Sequence, residues 1–351
     1  MVLQSCRALA IFTTVLVVGC GDGVGILLGE VSLLGPPPAG DTGAPAGMSP
    51  IADAEASTDE SNSDANTSVA DTAPEASPIA VDAGTDLGQF GAPVLITELV
   101  ASGFMAFKET LTADMLEIYF ISDRPGGPGN QDVWHAKRAR ASDPWGTPNC
   151  VLEVSSPLHE AGPAVSPDGL TLWISSDRAG GKGGYDIWVS TRPNSVTPTW
   201  STPRPVPELN TASDEFPRPP IQSGLTMPPS YREKLPNNQF QTCITSRSSV
   251  NAPWAPPTRL TEVDTSNIDT DGFLTDDQLG LYFSSDRVTL GDQDLYVAGR
   301  SGPQSAFITF VPIAELNTTH QERDPWVSRD GREIYFSSDR GGTLQIYHAT
   351  R

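Results

Sequence analysis

TLWISSDRAGGKGGYDIWVSTR, residues 171–192, decides the architecture of this chain. Two short runs rich in β-branched and aromatic residues flank a glycine-rich turn, which is the pattern of an antiparallel strand pair. Three further segments share it: EIYFISDRPGGPGNQDVWHAKR at 117–138, GLYFSSDRVTLGDQDLYVAGR at 280–300 and EIYFSSDRGGTLQIYHATR at 333–351. Self-similarity at a fixed period marks a repeat architecture. The signature aspartates fall at Asp123, Asp177, Asp286 and Asp339, and the middle interval is about twice the outer ones. A missing copy is therefore expected near residue 231, and a degenerate one is there, running through Ser223–Met227, Ser230–Arg232 and Cys243–Arg247. Pro228 and Pro229 take the place of Trp173 and Ile174, so the strand ladder of this third repeat is expected to weaken.

A second marker keeps the same phase. Phe90, Trp145, Trp200, Trp254 and Phe307 recur about every 54 residues, each leading into a short strand: VLITEL, CVLEV, RPVPEL, TRLTEV and FVPIAEL. In the second repeat the strand signals are 162–166, 170–175, 185–191 and 204–209, with Pro167-Asp168-Gly169 as the turn between the first two. Four short antiparallel strands repeated radially describe a propeller blade. The expected fold is all-β, a five-bladed β-propeller of four-stranded antiparallel blades, with six blades as the alternative. The segment 93–98 is an outer strand without its own blade, and the sequence stops at Arg351 after the third strand of the fifth repeat. The N-terminal strand is therefore expected to complete the last blade and remove two open sheet edges.

These residues resemble the TolB-type, WD-repeat-like propeller family, whose repeat has a Ser-Pro-Asp-Gly turn, a Ser-Asp-Arg signature and an Asp-Ile-Tyr-Val strand. The resemblance covers 88–351, strongest in repeats two, four and five, fair in one and poor in three. It extends to the linker Leu209-Asn210-Thr211-Ala212-Ser213-Asp214-Glu215. It implies a periplasmic or surface-exposed protein of the binding-module kind. TolB itself has six blades, from which a count of five departs.

Residues 1–20 read as a secretory signal: Arg7, an apolar run from Ala8 to Val18 too short to span a bilayer, then Val17-Val18-Gly19-Cys20. That ending resembles a lipobox, with Cys20 as the residue that receives lipid. Asp22, two places after Cys20, does not give the inner-membrane retention signal of enteric bacteria, which favours the outer membrane, on its periplasmic or surface face. Residues 21–87 read as a tether. From about residue 30 on it is dominated by Ala, Pro, Asp, Ser and Thr, without Lys or Arg, and is too poor in apolar side chains to offset its ordering entropy. Its typical reach is about 40 Å. The propeller occupies 88–351.

A formal charge of −21 excludes nucleic acid and anionic lipid head groups as partners, so membrane contact is expected through the lipid alone. Of four cysteines, Cys6 leaves with the signal and Cys20 takes lipid; Cys150 and Cys243 fall in different blades and are expected to be unpaired. The signature pairs Asp123-Arg124, Asp177-Arg178, Asp286-Arg287 and Asp339-Arg340 recur in nearly every blade, which assigns them to scaffolding: the carboxylate accepting turn N–H groups, the guanidinium reaching a neighbouring strand or blade. Asp132, Asp186 and Asp294 read the same way. Glu160, Glu215, Asp269 and Glu322 precede the innermost strands and are expected to converge at a channel mouth, as a site for a ligand or a divalent cation, or else to cap turns. No other cofactor and no catalytic constellation is expected; His159 and His320 fall three blades apart. The leading functional expectation is a monomeric, lipid-anchored binding scaffold for an envelope protein, a peptidoglycan component or a glycan. A carbohydrate-active hydrolase or lyase using the channel-mouth carboxylates is the second reading. A purely structural surface lipoprotein is the third.

Overall fold

The computed structural model describes residues 88–197, 199–221, 223–232, 240–288 and 292–351. The signal segment, Cys20 and the tether lie outside the described residues. The described part is all-β apart from a single turn of 3-10 helix at Thr97–Leu99, and no helix in it is long and apolar enough to cross a membrane.

Five antiparallel sheets follow one another around a ring. β1 (Val94–Leu95) stands apart at the start. Blade 1 is then β2 (Ala106–Leu111), β3 (Glu117–Ser122), β4 (Asp132–Lys137) and β5 (Asn149–Cys150), and blade 2 is β6 (Glu160–Val165), β7 (Thr171–Ser176), β8 (Asp186–Thr191) and β9 (Arg204–Pro205). Blade 3 has five pieces, β10 (Asp214–Phe216), β11 (Thr226–Met227), β12 (Ser230–Arg232), β13 (Phe240–Ser246) and β14 (Thr258–Arg259), because Pro228-Pro229 splits the second strand in two. Blade 4 is β15 (Asp269–Leu274), β16 (Gly280–Ser285), β17 (Asp294–Gly299) and β18 (Thr309–Pro312). Blade 5 has β19 (Glu322–Val327), β20 (Glu333–Ser338) and β21 (Gln345–Thr350), and β1 is its outer strand, with Val94 opposite His348 and Leu95 opposite Tyr347. The chain is a five-bladed propeller closed by its N-terminal strand.

The outer strands are shorter than the sequence signals. Arg204–Pro205 is the whole of β9, where the pattern extends to Leu209. Pro205 and Pro207 have no N–H to donate, so the chain leaves the ladder and turns. The turn drops one apolar residue, Leu99, Val154, Leu209, Val263 or Leu316, fully into the core.

That core is five clusters, each shared by the facing sheets of neighbouring blades. The cluster joining blades 5 and 1 packs Trp326, Tyr335 and Ile346 against Ile118, Phe120 and Trp134, so the closing interface is built like the other four. Cys150 and Cys243 are both free thiols, Cys243 buried and Cys150 half-buried; burial pushes Cys150 up to about 11 and Cys243 up to about 12.

Candidate functional site

The innermost strands β2, β6, β15 and β19 share one irregularity. Their register slips after the second residue, at Phe107/Thr110, Ala161/Ala164, Thr270/Phe273 and Arg323/Trp326. The residue that begins each bulge has positive φ: Lys108 at 57°, Gly162 at 53°, Asp271 at 62° and Asp324 at 58°. A left-handed conformation costs an L-residue about 1–2 kcal/mol, so three non-glycine residues in it mark a place where side-chain interactions hold the backbone.

Those three side chains meet on the axis. Lys108 Nζ lies 3.2 Å from Asp271 Oδ1 and 3.2 Å from Asp324 Oδ1. Arg218, following β10, closes the figure, its Nη2 2.6 Å from Asp271 Oδ1 and 3.3 Å from Asp324 Oδ1. Arg323 stands 3.3 Å from Asp324 Oδ2. Two carboxylates and two shared cations thus plug the channel. The cations hold Asp324 well below the usual carboxylate range despite complete burial. Glu109, beside the plug, goes the other way: burial and the nearby Asp324 charge raise its carboxyl, with Ser337 Oγ donating to its Oε2 at 2.8 Å.

Beyond the plug, the far ends of the inner strands of all five blades enclose a funnel of about 500 Å³. Its wall is apolar, with Leu111, Val165, Ile221, Phe273 and Trp326, and its rim is charged, with Asp276, Asp277, Arg329, Asp330 and Arg332 from the adjacent turns. The sequence pattern placed the candidate site at the other mouth, where the inner strands begin.

There, Glu160, Glu215, Asp269 and Glu322 are all fully buried and are taken up within their own blades. Glu160 accepts from Ser156 N at 2.9 Å, Ser156 Oγ at 2.6 Å, Ser176 Oγ at 3.0 Å and Arg178 Nη2 at 2.8 Å. Asp269 and Glu322 repeat this with Thr265, Ser285 and Arg287 at 2.6–2.7 Å, and with Thr318, Ser338 and Arg340 at 2.7–3.0 Å. Glu215 has Thr211 but, among the described residues, no such arginine: its Oε2 has no partner there, and burial pushes its carboxyl up to about 7. The structure does not bring these four together. Among the described residues no group of three or more His, Cys, Asp or Glu is arranged to hold a metal ion.

The signature pairs bind the ring. Asp123, Asp177, Asp286 and Asp339 accept the backbone N–H that precedes their own inner strand, from Met105, His159, Ile268 and Gln321, at 2.7–3.0 Å. The glycine-turn amides go instead to Asp132, from Gly129, and to Asp186, from Lys182 and Gly183. A Cβ on Gly181 would fall 1.9 Å from Asp186 Oδ2, so that carboxylate fits only beside glycine. Arg124, Arg178, Arg287 and Arg340 donate to Leu99, Val154, Val263 and Leu316 carbonyls in the linker from the preceding blade. His159 and His320 each pair with the aspartate of their own blade, at 3.3 and 3.4 Å.

One five-fold feature escaped the sequence reading. Arg138, Arg192, Arg247, Arg300 and Arg351, each just after a third strand, lie over Trp145, Trp200, Trp254, Phe307 and Phe90 at 4.1–4.8 Å. Every aligned repeat ends in Arg, and the aromatic marker was already visible; only their pairing was not.

No protein-family model and no curated protein matches this sequence. Solved structures similar to it include a putative TolB from Agrobacterium tumefaciens, 17% identical, covering 67% of this chain and 69% of that one at a TM-score of 0.42. TolB from Acinetobacter baumannii is 12% identical over 72% of this chain and 56% of its own, TM-score 0.44. The catalytic domain of a GH62 α-L-arabinofuranosidase from Coprinopsis cinerea is 9% identical over 75% and 96%, TM-score 0.47. These are likenesses of backbone architecture, shared by proteins of different activity.

Proposed function

We propose that the chain is an exported, lipid-anchored binding scaffold of the cell envelope, attached through Cys20 to the outer membrane, that holds an envelope protein, a peptidoglycan component or a glycan at the funnel face of its propeller. The observation that carries this reading is the state of the axial carboxylates. Asp271 and Asp324 are paired with Lys108 and Arg218, and Glu160, Asp269 and Glu322 with hydroxyls and arginines, so these five are engaged within the scaffold. What the axis offers instead is an apolar funnel with a rim of both charges, which suits recognition. Affinity capture from envelope extracts tests it: the full chain is expected to retain a specific partner, and Arg329→Glu on the exposed rim to release it. Labelling with radioactive palmitate is expected to mark the chain and to fail on Cys20→Ala.

One observation favours the hydrolase reading. Burial raises the Glu109 carboxyl while the cations around Asp324 hold its carboxyl down, and two carboxyls pushed apart are the pattern of an acid and a base. Activity on envelope or plant polysaccharides that disappears in Glu109→Gln would install that reading in place of the scaffold.

A further inference from the structure

The arginine that ends each third strand obeys a second rule. It donates Nε to a carbonyl in the hairpin turn of its own blade, in all five copies, at 2.6–2.8 Å. In three copies Nη2 then crosses to the second strand of the preceding blade. Arg192 meets both oxygens of Glu117 at 3.0 Å, Arg138 the Tyr335 hydroxyl at 3.1 Å and Arg351 the Tyr282 hydroxyl at 3.2 Å. Arg300 faces the degenerate third blade, and its Nη2 is buried without a partner.

Arg247 is the exception that opens outward. In blade 2, Thr171 stands where blade 1 has Glu117, and Trp173 where it has Tyr119, each the first or third residue of its strand. Threonine is too short to reach, and an indole accepts no hydrogen bond. No hydrogen bond or ion pair among the described residues takes up Nη1 or Nη2 of Arg247. The guanidinium lies 4.3 Å from the Trp254 ring and 5.9 Å from Trp173, and it borders a groove of about 570 Å³ between blades 2 and 3. Of the carboxylates that share the groove, Asp168 is engaged in its own turn by Ser166 and Leu170, and Glu208 accepts from Trp254 N of blade 3 at 3.3 Å.

We propose that this groove binds the free carboxyl end of a peptide, its terminal carboxylate replacing at Arg247 what Glu117 supplies at Arg192. A planar guanidinium held between rings keeps its fork of N–H donors for a carboxylate. The neighbouring wall suits an apolar last side chain, with Val189 and Val206 lining it and Val250 exposed at its edge. An acidic sugar is disfavoured because it needs a bare ring face, and Trp254 is covered by Arg247 and set edge-on to Trp173 at 6.3 Å.

Tryptophan fluorescence of the full chain reads the test, because two of its rings line the groove. Titration with N-acetyl-L-phenylalanine is expected to give a saturable change, with N-acetyl-L-phenylalaninamide and glucuronate at least about tenfold weaker. Thr171→Glu plants the Glu117 carboxylate in the groove; it is expected to abolish binding of the acid and to raise the melting temperature. Arg247→Lys keeps the charge and loses the fork, and is expected to weaken the acid by about tenfold even if the glutamate variant does not fold. Arg329→Glu, on the funnel rim, is expected to leave this binding unchanged, which separates the groove from the funnel. Equal binding of acid and amide, preference for glucuronate, no response to the acid, or full affinity in a folded Thr171→Glu would each overturn the proposal.

Discussion

Glu215 shows what the loss of one partner does to a repeated residue. Its counterparts Glu160, Asp269 and Glu322 each face an arginine, whereas Glu215 keeps only Thr211 and lies near Asp186 and Asp214, which raise its carboxyl further. With the folded value near 7 and the ordinary value at 4.5, the folded state holds a proton that the unfolded chain releases. Stability from this group is complete below pH 4.5, falls as pH rises toward 7, and levels off above. Glu215→Gln is therefore expected to raise the melting temperature at pH 8 and to change it little at pH 4, read by circular dichroism across that range. Glu322→Gln is expected to destabilise instead, because it removes the counter-charge of Arg340, which keeps its bonds to Leu316 and Ser338: a loss of about 1–3 kcal/mol at pH 7 in urea unfolding.

Backbone strain is spent differently in two elements of the same blade. At the hairpin between first and second strands, Gly169, Gly224 and Gly331 carry positive φ, and Met115 and Gln278 hold the same place in blades 1 and 4. This position acts through its backbone, its N–H closing the turn onto the residue three before and its carbonyl accepting from Arg138 and Arg300 among others. Gln278→Gly is thus expected to stabilise by about 0.5–1 kcal/mol, since glycine takes the left-handed conformation freely. At the bulge of β15, Asp271 has the same φ but holds Lys108 and Arg218. Asp271→Gly is expected to destabilise by about 2–4 kcal/mol despite relieving the backbone. Paired urea titrations decide whether the axial strain is held by the ion pairs.

At the scale of the whole molecule, the ring depends on a few residues before the first blade. Phe90 is buried, its N–H bonds Glu315 at 3.0 Å, and Arg351 covers its ring at 4.3 Å, while Gly91 and Ile96 donate to Thr350 and Ile346. Phe90→Ala is expected to lose about 3–4 kcal/mol. Removing residues through 99 would leave β21 unpaired on one side, and such a chain is expected to associate through that edge on size exclusion and to lose its single cooperative transition. Unchanged unfolding of the shortened chain would show that closure contributes nothing.

The repeat period, the number of blades, the closing strand and the weak third blade could be read from the sequence, because each is a local pattern copied along one dimension: strand, turn, signature, aromatic. Burial and partners were not legible. Glu160 and its counterparts sit at the start of the inner strands, as their spacing says, yet spacing cannot tell a carboxylate that faces the channel from one turned into its own blade toward Arg178. Lys108, Asp271 and Asp324 of the plug share one repeat position, the bulge of the inner strand, but its residue changes between blades and Arg218 stands one place further on, so repeat comparison could align the position without pairing the side chains; closing the ring places them on one axis. The unanswered Arg247 likewise depends on which blade stands beside it. Periodicity fixes what is shared by the copies, and only the packed ring decides where two unlike copies meet and what their differences leave open.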